Sequence, residues 1–473
     1  MSALRSAARE LRHEPRQHLP TIIVTAVGAS FGTVLLLLVQ VLSDYLLNSA
    51  IGESDAVKTA LSLLATVFLA IAVFVAAIVT ANTFGTIIAG RVRTIALYRL
   101  IGASARSLRG AVAAEGFLIG AIGAVLGVLL GCGLVAVGVL IAQPLVGPGL
   151  TMPSMLDQIL LVPLLASFFS TWIASWLGTR SILAVTPIQA LGDAREQATD
   201  EIAGRRGRLI AAIVLIVLGA GLLTLGVVRG LSAQDGVLIA FGGGLVSFIG
   251  VILGAEFIMP TLLRGIGRRF GSGPPARLGA ANAVRNPQRS TRSTLGIVIG
   301  VTLITMFAVA SETLTGIIID FSSDLPVEAT SEIRSALNNV VIGIAVLIGF
   351  SVLIAAIGLI NTLSLSVLQR SREIGLLRAI GFTARQVRTM IMLESLQMAF
   401  AAVVFGLVLG SVYGWAGAQS MLGGLIGGLV APAVPWPLIL GTILATAVIG
   451  IAAALVPARR ATRVAPVVAL GAE

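Results

Sequence analysis

Lysine occurs once in this 473-residue chain, at Lys58. A phosphate-binding P-loop needs a lysine between glycine and Ser/Thr. Lys58 sits in Ala56-Val-Lys-Thr59, with no glycine before it. Nucleotide hydrolysis by that route is therefore excluded for this chain. Histidine occurs twice, at His13 and His18, and cysteine once, at Cys132. No disulfide framework, zinc cluster or Cys/His dyad is expected from so few ligands. The sequence offers no catalytic residue and no metal site.

Charge is also scarce. Only 11% of residues are charged and 57% are hydrophobic, with a mean hydropathy of +1.02. A soluble domain carries about 25% charged residues. This chain has too few to cover a globular surface, so it reads as a multispanning membrane protein. The net charge of +11 would suit nucleic acid, but the arginines lie between apolar spans. Topology explains them, and no nucleic-acid partner is expected. The preference for arginine over lysine reads as a GC-rich bacterial genome.

What is present begins with an arginine-bearing segment, 1–18, patterned as an amphipathic helix on a membrane face. The apolar run Leu19–Ser43 is of full spanning length and too long for a signal h-region. Further spans are expected near 59–88, 112–142, 158–178, 209–228, 236–259, 294–314, 337–369, 390–417 and 434–456. That makes about ten. The second and eighth are longer than a bilayer needs, so they tilt or project.

The positive-inside rule fixes the orientation. With the N-terminus inside, inner segments hold 29 of the 32 basic residues; only Lys58, Arg229 and Arg334 fall outside. Both termini are then cytoplasmic. No outer segment is long enough for a domain.

The chain also repeats itself. Arg370-Ser-Arg-Glu-Ile-Gly-Leu-Leu-Arg-Ala-Ile-Gly-Phe-Thr-Ala-Arg-Gln-Val-Arg388 matches 91–109 at ten of nineteen positions, with an offset of 279. Asn82 matches Asn361, Glu115 matches Glu394, and Gly127 and Gly131 match Gly406 and Gly410. The head of the unit repeats at offset 272, where Pro15 and Gly28 match Pro287 and Gly300. The chain reads as two parallel four-span repeats, 1–193 and 276–473, joined by a linker, 194–275, carrying two spans.

Within 370–388, the apolar residues Ile374, Leu377 and Ile380 fall at helical spacing. Gly381 is placed to end a helix and Thr383 to cap the next. Ser104 takes the capping place in the first copy. A helix, a tight turn and a second helix entering a span are expected in both copies. Glu115 and Glu394 are expected in the first turn of the third and ninth spans, where a carboxylate favours the helix N-terminus and pairs with nearby arginines. Glu256 and Glu312 are further intramembrane acids near span ends, and a proton relay through them is an open alternative. Asn82 and Asn361 read as interhelical hydrogen-bonding groups.

The run Arg-Glu-Ile-Gly-Leu-Leu-Arg-Ala-Ile-Gly resembles the signature of FtsX/MacB-like (type VII) ABC transporter permeases. Pro457-Ala-Arg-Arg-Ala-Thr-Arg-Val-Ala-Pro-Val-Val-Ala-Leu470 and Arg285-Asn-Pro-Gln-Arg289 resemble that family's closing and opening motifs. The ten-span layout is similar to permeases of the Bce peptide-resistance type, without their large extracellular domain. The resemblance implies an all-α polytopic membrane protein in a bacterial cytoplasmic membrane. It implies two coupling helices, carried by Arg91, Arg93, Ile95, Arg99 and Gly102, and by Arg370, Arg372, Glu373, Ile374, Leu377, Arg378 and Gly381. Each would dock on one of two cytoplasmic ATPase subunits, which would hold the ATP and magnesium; this chain binds no cofactor. The first copy departs at Thr94 and Ala96, where the second has Glu373 and Gly375.

Two further readings stay open. A mechanotransmission or sensory subunit would signal to a hydrolase or kinase without transport, and short outer loops disfavour it. An ion-coupled secondary transporter would need more midmembrane charge. ATPase-dependent substrate movement in vesicles separates both from an ABC permease.

Overall fold

The computed structural model describes residues 15–47, 102–146, 151–178, 199–269, 273–322 and 376–463, apart from single positions within those ranges, and scattered residues between 59 and 100. Most of the second expected span and all of the eighth, with Asn82 and Asn361, lie outside the described residues. The described elements are α-helices joined by short turns. Helices satisfy every backbone group internally, which a chain this apolar requires in lipid. Among the described residues, seven helices are long and apolar enough to cross a membrane. The chain divides into two compact units.

The first unit contains α1 (Pro15–Leu47), α2 (Ala105–Val146) and, after a short 3-10 turn at Gln158–Leu160, α3 (Leu161–Gly178). Helix α1 is the central one: Phe31, Leu35 and Leu37 are fully buried. Helix α2 meets it through glycines one turn apart. A side chain at Gly123 would strike Thr25, at Gly127 Ala26 and Ala29, and at Gly131 Ser30 and Thr33. On another face, Gly116 and Gly120 admit Ser175 and Thr171 of α3. Between membrane helices there is no water to expel, so close backbone approach carries the association. Hydroxyls add to it. Thr171 Oγ1 donates to Thr25 Oγ1 at 3.4 Å, and Ser175 Oγ donates to the Val112 carbonyl at 2.8 Å.

The second unit contains α4 (Thr199–Gly230), α5 (Gly236–Gly267), α6 (Pro274–Arg285), α7 (Pro287–Ser322), α8 (Ala384–Ile426) and α9 (Trp436–Arg463). Its α7–α8 crossing repeats the α1–α2 crossing residue for residue. Gly406 faces Val301 where Gly127 faces Ala29, and Gly410 faces Thr305 where Gly131 faces Thr33. The two sequence offsets, 272 and 279, thus meet in one helix contact.

Helices α4 and α5 form a hairpin closed by small residues, with Gly219 on Ser247, Gly226 on Ala240 and Gly243 on Leu223. The hairpin packs on α8. Ser247 and Tyr413 hydroxyls lie 3.0 Å apart, Gln397 Nε2 donates to the Leu263 carbonyl at 2.6 Å, and Gly230 abuts the Ser420 backbone. Gln397 is 1% exposed. Replacing it with leucine should cost about 1–2 kcal/mol by leaving the hairpin without that bond. A fall in the detergent melting temperature of the full chain would show it.

The seven described spans match expectation within a few residues at their apolar cores, but the helices run on beyond them; where the tenth was expected, the described apolar stretch is the shorter Trp436–Val448. Helix α8 begins at Ala384, and no acidic residue lies in the first turn of α2 or α8. The expected placement of Glu115 and Glu394 in a first turn is therefore corrected. Both sit about three turns in, beyond the reach of the helix dipole, which fades within one turn. The Gly-turns start each helix early, outside the apolar stretch that marked the span.

Candidate functional site: the two arginine-rich turns

The second turn is built by two capping motifs set back to back. Gly381 has φ of +104°, a region side-chain-bearing residues avoid. Its N–H donates to the Arg378 carbonyl at 3.2 Å, and the Phe382 N–H reaches back to the Leu377 carbonyl at 3.0 Å. This is a full Schellman ending. Two residues on, Thr383 caps α8. The Gln386 N–H donates to Thr383 Oγ1 at 3.2 Å, and the Thr383 N–H donates to Gln386 Oε1 at 2.9 Å. That reciprocal pair is a capping box. Leu377 and Phe382 pack together with Leu278 of α6 against Val387, Met390 and Ile391.

The first turn has the same frame. Gly102 has φ of +97°. The Ala103 N–H donates to the Tyr98 carbonyl at 2.9 Å, and the Ser107 N–H to Ser104 Oγ at 3.1 Å. Sequence reasoning foresaw Gly381, Thr383 and Ser104 in these places, and the structure puts them there. Both turns are capped on each side.

Of the expected coupling residues, Leu377, Arg378, Gly381 and Gly102 are described. Arg91, Arg93, Ile95, Arg99, Arg370, Arg372, Glu373 and Ile374 lie outside the described residues. The expected apolar stripe through Leu377 and Ile380 is corrected in one respect. Leu377 faces the α8 core, whereas Ile380 is 70% exposed, because the helix ends there and the chain swings away. Leu376 is 55% exposed and its counterpart Leu97 is 52% exposed. Sequence reasoning did not single these two out as site residues. Their identity across the repeat was the available signal. Each turn therefore presents large apolar side chains beside arginines, with Arg106 and Arg109 following the first and Arg385 and Arg388 the second.

Behind the turns lie the acids. Glu115 pairs with His18 of α1, with Oε1 2.8 Å from Nδ1 and His18 only 2% exposed. This neighbour, a histidine from α1, is one that no sequence signal placed there. Its counterpart in the second unit, Ser290, donates to the Ala283 carbonyl at 2.6 Å instead. Glu394 is buried in α8. Glu256 is held by Arg208 at 3.1 Å, across the α4–α5 hairpin. That ion pair accounts for Glu256 structurally.

Comparison with known proteins then bears on the whole chain. The family profile described as FtsX-like permease C-terminal matches twice, over residues 66–182 and 345–466, together a little over half of the chain. The matches begin at the offset of the internal repeat. The chain is 30% identical over 122 residues to a Bacillus subtilis protein named uncharacterized ABC transporter permease YknZ, covering 26% of this chain and 29% of that one. It is 29% identical over 136 residues to the pyoverdine export ATP-binding/permease protein PvdT of Pseudomonas entomophila, covering 29% and 20%. It is 27% identical over 123 residues to the macrolide export ATP-binding/permease protein MacB of Escherichia coli, covering 26% and 18%. The matched stretches thus span under a third of the length of each of these relatives. With its helical spans and its doubled match, this multi-pass membrane protein belongs to the FtsX-like permease family.

Proposed function

We propose that this chain is the membrane subunit of an ABC transporter. Two separate cytoplasmic ATPase subunits, carrying the ATP and magnesium, dock on the turns at 91–109 and 370–388. Hydrolysis drives export or extraction of an amphipathic, lipidic or peptide-like molecule. The protein lies in a bacterial cytoplasmic membrane with both termini inside. It comprises repeats at 1–193 and 276–473 with the 194–275 hairpin between them.

The observation that carries this reading is the doubled turn. Two copies of one capped frame each offer exposed Leu97 or Leu376 beside arginines, and one chain then serves two motor subunits. The names of the relatives, ABC permeases and exporters of pyoverdine and macrolides, support the class and an amphipathic cargo. Glu115 and Glu394 hold helices together behind the turns, and Asn82 and Asn361 serve as interhelical hydrogen-bonding groups on the sequence reading alone.

Co-reconstitution with an ABC ATPase in vesicles tests it: hydrolysis must rise with the permease present and substrate must move. Because Thr94 stands where the second copy has Glu373, the two turns should couple unequally. Glu373→Ala is expected to lower stimulated hydrolysis more than Arg93→Ala. Equal losses would sink the asymmetry; unchanged hydrolysis in both would sink docking at these turns.

A further inference from the structure

We infer that residues 427–435, between α8 and α9, form a re-entrant segment that dips into the bilayer and meets lipid acyl chains. The inference rests on α4, α8 and α9 spanning the membrane, and on no transport activity.

The segment does not leave the helix end outward. Gly427, at φ of +67°, turns the chain, which then runs back along α8. The Trp415 Nε1–H donates to the Val430 carbonyl at 2.6 Å. Gln419, fully buried, grips the segment twice: its Nε2 donates to the Gly428 carbonyl at 2.8 Å, and its Oε1 accepts from the Val430 N–H at 3.0 Å. Thr313 Oγ1 of α7 accepts from the Ala433 N–H at 3.2 Å. Pro432 and Pro435 have no N–H to satisfy.

Charge marks the depth. On α4, Arg208 and Arg229 bracket an uncharged stretch, 209–228, which is about 30 Å long and matches one hydrocarbon core. Arg229 pairs with Asp235 at 3.3 Å, with both side chains more than half exposed, as water-facing groups. Gly230 abuts Ser420 and Gly424 abuts Leu231, so this part of α8 sits at the hydrocarbon edge. Trp415 lies about 7 Å further toward the core, at 1.5 Å per residue. The Val430 carbonyl reaches it there.

Non-helical backbone at such depth is tolerated only where protein groups satisfy it. Gln419, Trp415 and Thr313 do so here for the Gly428 carbonyl, both Val430 groups and the Ala433 N–H. In the first repeat, the aligned positions are Leu140, Ala136 and Val41, whose side chains can neither donate nor accept. The loop there carries Thr151, Ser154 and Asp157 instead, as a water-facing turn does. From Ser395 to Ala458 the second repeat has no charged residue at all. Leu429 and Trp436 are 65% and 68% exposed. Apolar groups set at that depth face lipid.

The test uses the full chain with Cys132→Ala, reconstituted without any ATPase. A nitrobenzoxadiazole probe is placed on Ala431→Cys or, as a water-facing control, on Ser232→Cys. Doxyl-labelled phospholipid should quench the probe at 431, and iodide should quench it at least about threefold less than the probe at 232, as expected for a site beyond the water boundary. Adding Gln419→Leu should release the segment and raise iodide quenching at 431. Equal iodide quenching at both sites would overturn the inference and make the segment an aqueous cap. Quenching by neither agent would overturn it too, showing a protein surface in contact.

Discussion

Replacing Leu376 and Ile380 together by aspartate is expected to abolish binding of the ATPase at the second turn while leaving the permease folded. Both side chains stand in the open at 55% and 70% exposure, so the fold loses little with them; exposed substitutions typically change stability by about 0.5 kcal/mol or less. Docked against a partner, each would be worth roughly 1.5–3 kcal/mol of buried apolar surface. Since about 1.4 kcal/mol is tenfold in affinity, the pair should weaken binding on the order of 100-fold or more. Titrating the ATPase onto the reconstituted permease reads the affinity, and a melting curve reads the fold. Unchanged affinity would mean these side chains rest in the headgroup layer, and docking lies elsewhere. On the proposed reading, the turn, capped on both sides, would pass the motion of a docked ATPase to α8, which runs unbroken for 43 residues.

The second large effect belongs to helix packing. Gly127→Leu should cost on the order of 3 kcal/mol, at the upper end for an overpacked contact. The added atoms would meet the Ala26 carbonyl and Ala29 side chain, and backbone cannot yield as a flexible side chain does. Gly410→Leu should behave alike against Thr305 and the Thr302 carbonyl. Gly133→Leu and Gly138→Leu lie on the same helix as Gly127 with open space around them, and they should change stability by a few tenths of a kcal/mol at most. Thermal aggregation in detergent, read across the four variants, distinguishes the cases. Similar melting for Gly127→Leu and Gly133→Leu would refute this helix crossing.

The candidate site was legible where local backbone rules govern it. A glycine followed two residues later by Ser or Thr, ahead of an apolar run, spells a helix end and a helix start. Gly102, Ser104, Gly381 and Thr383 obey that grammar. Glu115 and Glu394 were misplaced because apolarity marks a span rather than the helix containing it. Which apolar residues of the turn would face outward was not legible either. Leu377 and Ile380 share a spacing, but only the path of the chain past Gly381 separates them.

By itself, the sequence determined that this is a helical membrane protein, since 11% charge leaves no other solvent for its surface. It determined the repeat, and with it the pair of turns. Tertiary structure alone decided which residues meet across distance. It brought His18 to Glu115 and Gln397 to the Leu263 carbonyl, and it turned weakly informative glycines into the contact points of two matching crossings. It also bent 427–435 back onto Gln419 and Trp415. Spacing along a chain fixes a helix and its caps, because those bonds close within four or five residues. A partner 97 or 134 residues away is chosen by how surfaces fit, and no local pattern carries that.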